Sequence, residues 1–273
     1  MSGWEWLAVA AVLAGLFLGL PLIRAGARCV GASPEVARKG VHVGMGLACA
    51  AFPWIFERAL PVWVLAGIAT LPLAAIRMYP ALRKGVGSAI HGIERPSYGE
   101  VLFSPAVAAV FSLADGDVFL YLIPVLILTI ADAAGALVGT RWGKRRYRSG
   151  EGFKTVEGST IFFLTAFLCG FLPLMSGGRV DAAHALWIGL ILGILAMMAE
   201  AISDRGFDNL LIPLSCYFIL ARLVDLEMSS LVGRFAVLAV LGGVVLAGAR
   251  WSTLSGGALL GSVLLGYGCA VIA

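Results

Sequence analysis

The sequence predicts an all-α, polytopic integral membrane protein with about nine or ten transmembrane helices, some of them kinked or broken. Composition carries the first part of this. The 273-residue chain is 60% hydrophobic and 13% charged, with a mean hydropathy of +0.95, which a soluble domain of this length cannot bury. The apolar runs continue from one end to the other, so residues 1–273 read as one integral membrane domain rather than an anchored soluble one. The third observation is a one-sided distribution of basic residues, which appears once the runs are placed.

The candidate spans are 4–23, 41–56, 60–78, 101–114, 118–138, 158–175, 183–202, 208–223, 229–248 and 256–273. The first has no basic segment ahead of it and no clear small-residue cleavage site, so it reads as a retained membrane helix. Several runs fall short of the ~20 residues that cross a bilayer straight. Pro53, Pro72, Pro105, Pro124, Pro173 and Pro213 lie in or beside the runs and predict kinks or breaks. If every run crosses, the loops 24–40, 79–100, 139–157, 203–207 and 249–255 share one side. That side and its helix ends hold all of the 20 Lys and Arg except Arg58, Arg179, Arg222 and Arg234. The positive-inside rule then places these loops in the cytoplasm and both termini outside. A composition rich in alanine, glycine and arginine suits a GC-rich prokaryote, and so a plasma membrane. The five cysteines stand singly, form no metal-ligand spacing or disulfide framework, and read as small packing residues.

Residues 130–159 hold the densest chemistry. Asp132 lies several residues inside an apolar helix among Ala131, Ala133, Ala134 and Gly135. An acid there is costly unless paired or facing a wet cavity, which makes a functional role the default. Gly135, Gly139 and Gly143, at four-residue spacing, permit close helix approach. A basic loop with Arg141, Lys144, Arg145, Arg146 and Arg148 follows. The next helix is entered through Lys154-Thr155-Val156-Glu157-Gly158-Ser159. This entrance reads either as a capped helix start or as a phosphate site, with Lys154 adding a point charge to the free helix amides. Glu157 is expected to complete a Mg²⁺ site with Asp132.

Three further clusters lie on the same side. Glu200 ends one run, and Asp208-Asn209 opens the next, so Asp208 is either an N-cap or part of a cation site. Arg38 and Lys39 suit snorkelling anchors, whereas His42, one turn further, is placed to meet a phosphate or a hydroxyl. The stretch 91–100 reads as a re-entrant or capping loop.

Arg-Lys-x-x-His at 38–42, Asp-Ala-Ala-Gly-Ala-x-x-Gly at 132–139 followed by Arg-Trp-Gly-Lys, Lys-Thr-x-Glu-Gly-Ser at 154–159 and Asp-Asn-x-x-x-Pro at 208–213 occur in this order. In that order the chain resembles the polyprenol kinase family (phytol, farnesol and dolichol kinases), nearest its phytol kinase branch. The resemblance covers about residues 34–220, leaves the helices of 225–273 unaccounted for, and rests most on the 154–159 element. It implies transfer of the γ-phosphate of a nucleoside triphosphate, commonly CTP, to a membrane-dissolved isoprenoid alcohol such as phytol, geranylgeraniol or farnesol. A divalent metal, Mg²⁺ or Mn²⁺, is implied with it. Asp132, Lys154 and Glu157 would be the catalytic residues. Asp132 and Glu157 would hold the metal, with Asp208 and Glu200 as further candidates. Arg38, Lys39, Lys154, Gly158 and Ser159, with Arg141 and Lys144, would engage the nucleotide. His42 and Asn209 would meet the alcohol. The implied partners are that alcohol, the nucleotide and the lipid bilayer, without nucleic acid and with self-association left open.

Two other readings share some of these features. A CTP-dependent phosphatidate cytidylyltransferase needs a similar cationic and carboxylate site but releases pyrophosphate. An ion-coupled transporter would use the broken helices and buried acids, and predicts an inverted repeat that the sequence does not display.

Overall fold

The computed structural model describes residues 3–78 and 98–272 and is helical almost throughout. The expected capping loop at 91–100 lies outside these residues up to position 97. The helices are α1 (Gly3–Cys29), α2 (Pro34–Ala50), the single turn α3 (Phe52–Ile55), α4 (Ala59–Met78), α5 (Gly99–Ala114), α6 (Val118–Leu126) and α7 (Asp132–Trp142). They continue as α8 (Val156–Ser176), α9 (Ala182–Ile202), α10 (Asp208–Leu223), α11 (Met228–Gly248) and α12 (Gly256–Ile272). Helices α6 and α7 are one rod joined by a π-helical segment, Ile127–Ala131. Among the described residues, six helical stretches are long and apolar enough to cross a membrane: Gly3–Cys29, Ala59–Met78, Val118–Trp142, Val156–Ser176, Ala182–Ile202 and Met228–Trp251. Gly99–Ala114 and Gly256–Val271 are shorter apolar helices.

Helix starts follow local chemistry. Asp117 accepts hydrogen bonds from the amides of Phe119 (2.9 Å) and Leu120 (3.1 Å) at the start of α6, and Asp181 does the same for α9 through Ala183 and His184. Helix α2 begins at Pro34, not near residue 41 as the hydropathy suggests. Ser33 caps it, accepting from Val36 N, while Pro34 occupies the first turn with Glu35. These start signals outweigh the polarity of the segment, and they put Arg38 and Lys39 inside the helix. The 139–157 region is also more ordered than a loop. Helix α7 runs to Trp142, and strands β1 (Arg146–Ser149) and β2 (Gly152–Thr155) then form an antiparallel hairpin. Gly150, at φ +54°, supplies the left-handed turn residue between them.

Helix α9 is the axis of the bundle. It is apolar on all sides, as a helix enclosed by others must be, with Ile188, Ile191, Leu192 and Leu195 fully buried. It packs against α8, α10, α11 and α12, and α8 packs in turn along α7. Helices α7 and α8 cross closely where glycines remove side chains. A Cβ on Gly158 would stand 2.9 Å from the Gly135 carbonyl oxygen and 3.1 Å from Gly139 Cα. The four-residue glycine spacing thus does what the sequence suggests. Helix α1 lies at the margin against α2, with an apolar cleft of about 340 Å³ between them, lined by Gly15, Gly19, Gly44 and Ala48 among others.

The starts of α2, α5, α8 and α10 and the ends of α7 and α9 gather at one end of the bundle. Tyr98 N donates to Arg205 O (2.7 Å) there, and Asn209 Nδ2 donates to Gly99 O (2.8 Å). Most of the described lysines and arginines lie at this basic end. The other end carries the Arg179–Asp117 pair (3.3 Å) and the Tyr217 hydroxyl bonded to Leu113 O (2.6 Å).

Candidate functional site

At the basic end, α2 presents Lys39, His42 and Gly46 along one face, three to four residues apart, to the π segment and the start of α7. Lys39 Nζ donates to Asp132 Oδ2 at 2.6 Å, and the two residues are only 5% and 6% exposed. An ion pair this enclosed has lost most of its hydration, so each partner depends on the other. The π segment arranges the third member. The Asp132 amide bonds Ile127 O, five residues back, rather than Leu128 O, four back. The Leu128 carbonyl instead accepts from His42 Nε2 (3.0 Å), which places that nitrogen 3.4 Å from Asp132 Oδ2. The edge of Phe103 closes the His42 side, with ring centroids 5.3 Å apart. Gly46 lets the helices approach, since a Cβ there would collide with Thr129.

A second pair comes from α8 and α9. Lys154, in β2 just before α8, donates from Nζ to Glu200 Oε1 (2.6 Å) and also to the Glu200 carbonyl oxygen. Asp208, the first residue of α10, is half-buried beside these groups. The charges of Asp132, Asp208 and Glu200 act on one another, and those of Lys39 and Lys154 act on Asp208. Two lysines, three carboxylates and one histidine from five segments therefore share one electrostatic pocket.

The hairpin is clasped to this pocket. Its inner face carries Tyr147, Ser149 and Lys154, and its outer face carries Arg146, Arg148 and the exposed Phe153. The Ser149 hydroxyl donates to Ala201 O, and Tyr147 OH and Ser159 Oγ are 2.7 Å apart. Burial pushes the Tyr147 phenol up. At the tip, Glu151 N donates to Asp204 Oδ2 (3.0 Å), and Arg205 Nε donates to Glu151 Oε2 (3.1 Å). That amide bond is the main reason the Asp204 carboxyl lies below its ordinary value.

The structure redistributes several expected roles. Lys39 is the enclosed partner of Asp132, not an open anchor at the helix entrance. Glu157 faces away from the pocket, its carboxylate accepting from the amides of Lys144 (3.1 Å) and Arg145 (3.2 Å). At 154–159 the helix start is capped: Thr155 Oγ1 accepts from the Gly158 amide (3.2 Å), and Ser159 is held by Tyr147. Asp208 is not an N-cap, because its Oδ1 accepts from the next amide, Asn209 N (3.0 Å), and Phe207 is the capping position. Asn209 ties α10 to α5 through Gly99 O. Arg38 is exposed and paired with Glu35 (2.7 Å), though the charges of Asp132 and Asp208 reach it. Arg141 lies over the Trp142 ring (5.1 Å), and Lys144 is exposed. Tyr147 and Ser149 are not legible as site residues from sequence, although the alternation Arg146-Tyr147-Arg148-Ser149 carries the period of a strand.

Over 219 residues the chain is 30% identical to a phytol kinase of Synechocystis, spanning 77% of this chain and 88% of that protein. This chain belongs to the phytol kinase family. No family model matches the chain, and no solved structure matches it. Of the four motifs that carry the resemblance to the phytol kinase family, each contributes a residue to the pocket: Lys39 and His42, Asp132, Lys154, and Asp208.

The donor set bears on a metal ion. Among the described residues, no three His, Cys, Asp or Glu side chains are grouped so as to hold a metal by themselves. Mg²⁺ seldom needs this, since it commonly takes one or two carboxylates together with phosphate oxygens. One or two of Asp132, Asp208 and Glu200, whose charges act on one another, would suffice for such an ion carried in with a polyphosphate. Glu157, engaged by the loop amides, does not fit such an ion.

Proposed function

We propose that this chain is a membrane-embedded kinase that transfers the γ-phosphate of a nucleoside triphosphate, CTP first among them, to the hydroxyl of an isoprenoid alcohol. Phytol, geranylgeraniol and farnesol are the acceptors of choice. The observation that supports this best is the pocket itself, with the enclosed Lys39–Asp132–His42 group beside Lys154–Glu200 and Asp208 at the basic end. A polyphosphate entering it meets Lys154 and Arg38 as charge partners, with Lys144 and Arg141 at its rim. The alcohol oxygen bonds to the γ-phosphorus, the bond from that phosphorus to the β–γ bridging oxygen breaks, and the nucleoside diphosphate leaves. The alcohol proton passes to a carboxylate of the pocket. Such transfers depend mainly on positioning and on neutralising charge, which fixed lysines supply without reorganising at the moment of reaction. A divalent ion, Mg²⁺ or Mn²⁺, adds charge neutralisation on the phosphoryl oxygens when bound, and one or two of Asp132, Asp208 and Glu200 would hold it. The isoprenoid tail lies among the apolar helices, with its hydroxyl at the cytoplasmic side of a plasma membrane.

The test uses purified protein in detergent with Mg²⁺, γ-labelled CTP or ATP, and a panel of phytol, geranylgeraniol, farnesol and diacylglycerol. Label is expected in a prenol phosphate, with roughly a hundredfold loss in Asp132→Asn and Lys154→Ala. Pyrophosphate released from CTP only when phosphatidate is supplied would instead establish a cytidylyltransferase. Neither reaction with folded protein would bring the transporter reading forward.

A further inference from the structure

The hairpin that carries Lys154 does not rest on the helices of the resemblance alone. Its inner face is seated on the start of α12, in the part of the chain that the family motifs leave unaccounted for. A Cβ on Gly257 would lie 3.1 Å from Ser149 Cα, 3.3 Å from Ser149 Oγ and 3.4 Å from Arg148 O. A Cβ on Gly256 would lie 3.0 Å from both Cβ and Cδ2 of Tyr147. The α12 backbone therefore meets the β1 backbone at Gly257 and the Tyr147 side chain at Gly256. Tyr147 stands directly opposite Lys154 in the strand register, and directly opposed residues of an antiparallel pair project to the same face. Tyr147 is also fixed at its far end by Ser159, and the charge of Glu200 reaches its hydroxyl. Ser149, two residues on, is fixed to Ala201, the neighbour of Glu200.

We infer that the start of α12 is a positioning element for Lys154. Gly256 and Gly257 seat Tyr147 and Ser149, and that seat sets where Lys154 stands against Glu200 and hence how tightly the phosphate chain of the nucleotide is held. The last part of this rests on the kinase reading; the placement of Lys154 does not. The C-terminal helices thereby gain a role in the pocket, since they fix a lysine placed about a hundred residues earlier in the chain.

Gly257→Val adds a branched side chain where two of the three nearest atoms, Ser149 Cα and Arg148 O, belong to the β1 backbone and cannot turn aside. Gly261→Val is the control on the same helix, since its Cβ would meet only Ile202 Cγ2 at an ordinary 3.5 Å. The full-length proteins are treated with an amine-reactive reagent and the modified lysines are read by peptide mass spectrometry. Lys154 is expected to be protected in wild type and Gly261→Val, and to react like the exposed Lys144 in Gly257→Val. In the kinase assay Gly257→Val should raise the KM for the nucleotide about tenfold while kcat changes less than about twofold, and Tyr147→Phe, which keeps the ring against Gly256, should fall between it and wild type. Unchanged Lys154 protection in a folded Gly257→Val protein overturns the inference. So does increased reactivity with an unmoved KM. If wild type transfers no phosphate at all, the kinase reading fails, and the labelling pattern alone supports or overturns the placement of Lys154.

Discussion

Lys39 and Asp132 are separated by 93 positions in sequence and by 2.6 Å in space. Removing one member leaves the other charge buried without its counterpart, which costs about 3–5 kcal/mol. Lys39→Ala should therefore lower stability in detergent by that amount, read from denaturant or thermal unfolding. The double variant Lys39→Met with Asp132→Leu should regain most of the stability while showing no phosphate transfer. A Lys39→Ala protein as stable as wild type would mean that the pair is open in the folded chain. The contrast between Asp132 and Lys39 marks what can be read from residues alone. An acid among alanines in an apolar helix announces itself by its cost. Its partner does not, because a lysine near a helix start has an adequate explanation as an anchor. Glu157, Gly158 and Ser159 are ambiguous in the opposite direction. Helix capping and phosphate binding draw on the same small hydroxyls, acids and glycine amides, so the sequence cannot separate them until the partners are seen.

At the scale of elements, the crossing of α7 and α8 is the most exacting contact near the pocket. Gly158→Ala brings a methyl group within 2.9 Å of the Gly135 carbonyl, a backbone atom held in its own helix. Overpacking of this kind costs about 1–3 kcal/mol, so a lowered melting temperature is expected. Gly242→Ala, with nothing within 4 Å of the added carbon, should be neutral or slightly stabilising by the same measurement. If both variants melt alike, the helices are further apart than described. The apolar runs located nearly all of the helices, since a bilayer leaves few other ways to satisfy a backbone. They misplaced the start of α2 and missed the hairpin. Both are decided by a few polar residues, Ser33-Pro34-Glu35 and Ser149-Gly150, that contribute little to a hydropathy average.

For the molecule as a whole, the charge asymmetry predicts an orientation that can be measured. In a background without native cysteines, Ser176→Cys lies at the end opposite the pocket and Arg148→Cys on the outer face of the hairpin; both positions are exposed. A membrane-impermeant maleimide applied to intact cells should modify the first and spare the second until the membrane is opened. The reverse pattern would put the pocket on the outer face, away from cellular nucleotides. The π segment connects this large-scale arrangement to a single position. It takes up one residue more than a regular helix would, and at 3.6 residues per turn each residue advances the helix by about 100°. The two halves of the rod Val118–Trp142 are therefore out of phase, and a helical wheel drawn through all 25 residues misassigns one half. Loss of any one residue from 127–131 would leave the composition, length and hydropathy of this span nearly unaltered. Yet, because the π turn absorbs just that residue, the rod would close into a regular α-helix with Asp132 still turned toward Lys39, while the Leu128 carbonyl would be taken by its own helix and His42 would lose the bond that holds it beside Asp132.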